Sequence, residues 1–169
     1  MITEMRDGFR VIRFHTLHRH HEESVGHHSA NVCAILLRLH PDCSRNLLVR
    51  ALMHDVPEAY TGDVPYPFKA DHPDIKKALF EGEYDFIEEY NIPDPHITGF
   101  EKDLLKLADM LDLVLSGLEE LGRGNMYAKQ YVQRGQDYIE AMPIYEDYKL
   151  KVNLMVAEVK DQWQQTTSK

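Results

Sequence analysis

FEKDLLKLADMLDLVLSGLEEL, residues 100–121, decides the fold class. Leu104, Leu105, Leu107, Ala108, Leu111, Leu115 and Leu118 recur at intervals of three and four, the spacing of a helix with most of its circumference apolar. Such a helix must lie inside a bundle. One residue breaks its greasy face: Asp109, whose carboxylate is costly to bury unless it is paired or bound to a cation. The plainer reading makes Asp109 a surface residue beside Lys106.

Working outward, the same period recurs. Val32, Ile35, Leu36 and Leu39 mark a helix from Val25 to Leu39, stopped by Pro41 and Asp42. Ser44 is a suitable N-cap for a second helix, with Leu47, Leu48, Ala51 and Leu52 on its buried face. This helix is expected to run through His54 and Asp55 and past Glu58. Thr61-Gly62-Asp63-Val64-Pro65-Tyr66-Pro67 reads as an ordered loop. A third helix spans Pro73 to Tyr90, and the fourth ends at Gly122-Arg123-Gly124-Asn125. Two more are expected near Met126–Ala141 and Tyr145–Trp163. The sum is an all-α bundle of about six helices in a single domain over residues 1–169. Its C-terminal helices, about 126–166, complete the bundle and offer apolar surface for a homo-oligomer, a dimer or higher.

Composition narrows the function. A net charge of −9 argues against gripping a nucleic-acid backbone, because such proteins neutralise phosphates with a basic excess. A small phosphorylated ligand stays compatible. No stretch reaches the ~18 apolar residues that a membrane span needs, and the N-terminus lacks a secretory pattern. The cytoplasm is therefore expected, a host's cytoplasm if the gene is a phage's. Cys33 and Cys43 read as reduced thiols. Ten histidines are unusual, with His15, His18, His20, His21, His27 and His28 crowded together. The first four of these could form a second metal site, contact phosphate or face solvent.

The adjacent pair His54-Asp55, with Glu58 one turn on, is the sharpest chemical signal. Alone it is weak, since His-Asp pairs arise by chance. Alone, too, His28 reads as a satisfied core histidine. Together, His28, His54, Asp55 and Asp109 on three helices form a mixed nitrogen and oxygen set. It suits a six-coordinate divalent ion with positions left for water.

Val25-x-x-His28-Ser29, Met53-His54-Asp55-x-x-Glu58, Gly62-Asp63-Val64-Pro65-x-Pro67 and Ala108-Asp109 resemble the HD-domain family. Within it they are most similar to the bacterial 5′-deoxynucleotidases and phage dATP triphosphohydrolases. The resemblance runs from Arg13 to about Asn125. It implies His28, His54, Asp55 and Asp109 as ligands of a divalent metal (Co, Mn, Zn or Mg) and Glu58 as the acid/base. It implies that Asp63 positions water or the sugar, that Arg13 contacts phosphate, and that Phe14 abuts the deoxyribose. Lys69 is a candidate second phosphate contact. Two positions depart from the pattern: His27 stands where many relatives carry an acid, and Phe14 where the bacterial enzymes have tryptophan.

The resulting expectation is a metal-dependent phosphohydrolase of purine 2′-deoxynucleotides, with dATP or dNTP triphosphohydrolysis preferred. Removal of phosphate from dNMPs is the alternative. A non-catalytic nucleotide-binding module is disfavoured by the retention of Glu58 beside all four ligands. The partner is a small-molecule deoxynucleotide, with neither nucleic acid nor membrane.

Overall fold

A computed structural model describes residues 2–167, with side chains through Gln162. Trp163, the expected end of the last helix, lies outside the described side chains. The elements are α1 (Ile2–Gly8), β1 (Ile12–Arg13), β2 (Glu23–Ser24), α2 (Val25–Leu39), α3 (Arg45–Met53), α4 (Glu58–Thr61), α5 (Tyr66–Asp71), α6 (Pro73–Tyr90), α7 (Gly99–Gly122), α8 (Ala128–Glu140) and α9 (Tyr145–Thr167). The fold is all-α, and its six long helices are those the periodicity marks. No described helix is long and apolar enough to cross a membrane.

The start signals work as their chemistry requires. Ser24 and Ser44 accept the N–H groups of His27 and Leu47, and Thr98 forms a reciprocal capping box with Glu101 that starts α7. Helix α7 then packs against α2, α8 and α9. Leu104, Leu107, Ala108, Leu111 and Val114 are fully buried there against Val32, Leu36, Leu39, Leu47 and Ala51. Two glycines let α8 lie close. A Cβ on Gly117 would come within 2.4 Å of Val132 Cγ2, and one on Gly135 within 2.8 Å of Val114 Cγ2.

Three expectations need correction. Helix α3 stops at Met53 instead of running past Glu58, because Pro57 has no N–H and its ring would strike the carbonyl four residues back. The chain tightens into successive three-residue turns, Val56 N–H to Met53 O at 3.1 Å and Glu58 N–H to Asp55 O at 3.0 Å, before α4 starts. The loop after Thr61 is also shorter than read, since Tyr66 and Pro67 open α5, where proline is tolerated in a first turn. Finally, most of the apolar C-terminal set is not surface. Ile139, Tyr145, Tyr148, Val152 and Met155 are buried against the chain's own core, and Met142, Val156 and Val159 pack on it. Of that set with described side chains, Tyr138 is exposed.

The α7–α8 contact is directly testable. Gly117→Ala forces a methyl into stiff Val132, and overpacking of this kind typically costs about 1–3 kcal/mol. Urea unfolding is expected to show a midpoint lowered accordingly, with the slope unchanged.

Candidate metal and phosphohydrolase centre

Three elements converge on one point. His28 comes from the first turn of α2 and is 0% exposed. His54 and Asp55 come from the break that Pro57 imposes after α3. Asp109 comes from the middle of α7. Ligand-type atoms of His28, His54 and Asp109 lie within 4.8 Å of one another. Asp55 completes the ring, with Oδ2 3.6 Å from His28 Nε2 and Oδ1 3.4 Å from His54 Nε2. His27, which stands where many relatives of the resembling family carry an acid, is exposed.

Both imidazoles are presented in the form a metal needs. His54 Nδ1–H donates to the Ala51 carbonyl at 2.7 Å, and a carbonyl can only accept, so Nε2 carries the lone pair. His28 Nδ1–H donates to Asp112 Oδ2 at 2.7 Å, which likewise turns Nε2 toward Asp109 Oδ1 at 3.3 Å. Both Nε2 atoms are buried without a hydrogen-bond partner. Two orphaned imidazole nitrogens facing two carboxylates fit a divalent cation, which would satisfy all four groups. Electrostatics agree. Burial would raise the Asp109 carboxyl, but His28, Lys106 and His54 pull it well below the ordinary carboxylate range. Lys106 Nζ bonds Asp109 Oδ2 at 2.8 Å, so the surface pairing suggested by sequence and the inward-facing role coexist on one carboxylate.

Asp112 was not assigned a function from sequence. Its signal was available: it follows Asp109 by three residues and so shares that face of α7. Glu23, His28 and Asp112 form a second grouping of ligand-type atoms. That grouping is unsuited to a cation, because Glu23 faces two guanidinium groups and Asp112 already holds the His28 proton.

Around this centre stand the other expected residues. Glu58, at the start of α4, is 8% exposed, and its Oε2 has no hydrogen-bond partner. Burial, then the carboxylates of Asp55 and Asp63, push its carboxyl up to about 9, against the pull of Arg13 and Lys69. Arg13 donates from Nη1 to Asp55 Oδ2 at 2.5 Å. Phe14 has φ 56°, a left-handed conformation that costs a non-glycine residue about 1–3 kcal/mol. Its N–H is held there by Asp63 Oδ2 at 2.7 Å, so Asp63 acts on the aromatic ring's placement. The ring lies near parallel to Tyr131, 11° apart with centroids at 6.3 Å. Lys69 is half-buried on α5. Among the described residues, no grouping with metal-ligand spacing includes His15, His18, His20 or His21. That segment is instead tied to α7 and the turn after it: the His20 N–H donates to Glu120, and Asn125 donates to the His18 carbonyl.

Residues 1–92 match the YfbR-like 5′-deoxynucleotidase family. The chain belongs to that family. The matched segment carries Arg13, Phe14, His28, His54, Asp55, Glu58, Asp63 and Lys69 and ends before α7. Asp109 and Asp112 therefore join the centre through the fold. No curated protein matches the sequence. Among solved structures, an HD-domain phosphohydrolase from Listeria innocua superposes with a TM-score of 0.72 at 19% identity, covering 96% of this chain and 87% of its own. The cyanophage S-2L HD phosphohydrolase DatZ, bound to dA and one catalytic Zn2+, superposes with a TM-score of 0.64 at 16% identity. That match covers 98% of this chain and 95% of the phage protein. This member of the YfbR-like 5′-deoxynucleotidase family has the fold of these HD-domain phosphohydrolases.

The tautomer argument makes a prediction about a residue outside the ligand ring. Asp112→Asn removes the carboxylate that orients His28. Outer partners of this kind typically contribute about 10–100-fold in metal affinity. Titration of the metal-free protein with Zn2+ is expected to show that loss, and His54→Ala or Asp109→Ala a larger one. Unchanged affinity in Asp112→Asn would remove Asp112 from the site.

Proposed function

We propose that this protein hydrolyses the phosphate ester of 2′-deoxynucleoside 5′-monophosphates, purine ones in the first instance. The carrying observation is the conjunction of the four-residue metal cradle with Arg13 and the buried Glu58. The family match favours the 5′-deoxynucleotidase reading over the triphosphohydrolase reading preferred from sequence. Adenine is the base to test first, because the cyanophage relative is bound to dA.

His28, His54, Asp55 and Asp109 would hold the metal, and a divalent ion bound there acidifies water and withdraws charge from a phosphoryl oxygen. The remaining work falls to side chains. Arg13 offers a planar fork to phosphate oxygens, and Lys69 adds a second cation on the Glu58 side. Burial and the neighbouring carboxylates disfavour charge on Glu58, so its carboxyl is suited to deliver a proton to the departing 5′-oxygen as water attacks phosphorus and the P–O bond breaks. Asp63 holds Phe14 in its left-handed conformation, which sets the ring as an apolar wall beside the sugar. A ribose 2′-hydroxyl pressed against that wall would lose hydrogen bonds, a penalty of about 1–3 kcal/mol.

We take residues 1–169 as one domain and the cytoplasm as its compartment. Self-association is also proposed, now on Leu150 and Leu154, which lie four residues apart on α9 and are 73% and 50% exposed. Light scattering that returned a monomer at micromolar concentration would remove it.

Two measurements test the main reading. Glu58→Gln is expected to retain metal but lose about two to four orders of magnitude in kcat, the usual range for a general acid–base group. Product analysis with dAMP and dATP is expected to yield phosphate and deoxyadenosine from dAMP. Release of intact triphosphate from dATP, with dAMP untouched, would reinstate triphosphohydrolysis.

A further inference from the structure

Glu23 has no part in the chemistry described so far, yet it is among the most deeply buried charges in the protein, its side chain 6% exposed. The short β1–β2 ladder pairs Arg13 directly with Glu23. Glu23 Oε1 lies 3.4 Å from Arg13 Nε, an ion-pair contact and not a hydrogen bond, so the Nε–H is buried without a hydrogen-bond partner. Its Oε2 lies 3.3 Å from Arg19 Nη2 and accepts a 2.6 Å bond from the Ser116 hydroxyl of α7. Arg19 Nη2 in turn donates to Ser116 Oγ at 2.5 Å.

Both arginines then meet the same ring. The guanidinium carbon of Arg13 is 5.1 Å from the Phe14 centroid, and that of Arg19 is 4.7 Å away. The Arg19 side chain is 7% exposed, and its Nε and Nη1 are buried with no hydrogen-bond partner. Donors left unpaired in the interior are costly. Contact between the guanidinium and the aromatic ring offsets part of that cost. Arg13 is surrounded by Asp55, Asp109, Glu23 and Glu58. Three of these belong to the metal and proton-handling set, so Glu23 is the carboxylate left to aim Arg13.

We propose that Glu23 is a positioning residue that locks Arg13, Arg19 and Phe14 into one unit, so that a single buried carboxylate sets phosphate and sugar recognition together. This inference rests on the reading above, in which Arg13 meets phosphate and Phe14 meets the sugar. A purely structural Glu23 would weaken the fold without changing which nucleotide is preferred.

The test is equilibrium binding of dAMP and AMP to full-length variants that also carry Glu58→Gln, so that the nucleotide is not consumed, with melting temperature recorded alongside. Arg13→Ala is expected to weaken both nucleotides alike, and Arg19→Met mainly to narrow the gap between them. Glu23→Gln should do both, with a loss of about tenfold for dAMP, since small misplacements of a binding group carry penalties up to about a hundredfold. In the Arg13→Ala background, Glu23→Gln should cost dAMP affinity less than about twofold, because groups acting as a unit are not additive. Full additivity, or a folded Glu23→Gln with unchanged affinity and preference, would overturn the proposal. Should Glu23→Gln fail to fold, Ser116→Ala carries the test: a smaller shift in the same direction supports it, and none overturns it. If Arg13→Ala and Phe14→Ala both leave binding unaltered, the phosphate and sugar assignments fail, and this inference fails with them.

Discussion

The hydrogen bond from His28 Nδ1 to Asp112 joins α2 to α7 at a point of zero solvent exposure for the imidazole. Around it the same two helices bury Val32, Leu36, Leu107, Ala108 and Leu111, so the core contact and the metal cradle are one interface. An ionisable pair in such a place is costly unless every lone pair and proton is used. Asp112 uses one side of the ring, and Asp55 and Asp109 face the other. Burial opposes charge on His28, but without a cation in place Asp109 and Asp112 outweigh it and raise the imidazole to about 9, so a metal has to displace the Nε2 proton to bind there. The ring's position is thus over-determined, by packing from the helices and by charge from three carboxylates.

The second constraint is Pro57. In a continuous helix, His54 and Asp55 would project about 100° apart. Past the end of α3 at Met53 the chain runs through tight turns, yet His54 keeps helical dihedrals (φ −60°, ψ −35°), and its Nε2 and Asp55 Oδ1 meet at 3.4 Å by the reach of their side chains. The proline also starts α4 at Glu58, which brings a third functional carboxyl back toward Asp55.

The N-terminal segment solves a different problem, that of fixing mobile groups without a long element. Two-residue strands, the left-handed Phe14 and the bonds from His18 and His20 backbone to Asn125 and Glu120 tie residues 12–24 to α7 and the turn after it. Histidines that look from composition like a metal-binding tract are thereby explained in part as a strap whose backbone is anchored. His18 itself packs against Tyr127 and edge-on against His20.

Periodicity, with prolines, glycines and capping residues as its punctuation, marked the six long helices, since an apolar stripe at 3.6 residues per turn packs as one helix face. These signals placed α2 and α6 at their observed limits and α7 within one residue at each end, and overran the end of α3. Residue type and order marked His28, His54, Asp55, Glu58 and Asp109 only as a set whose motifs resemble a family pattern, since each taken alone has an ordinary structural reading. Tertiary structure decided what depends on contacts between distant segments. Asp112 and Glu23 read as ordinary helix and loop acids until α2, α7 and the β1–β2 ladder come together. The C-terminal apolar stripe reads as free surface until α9 is seen packed on α2 and α7. The reason is physical: burial and hydrogen-bond partners are properties of pairs, and a linear sequence states only one member of each pair at a time.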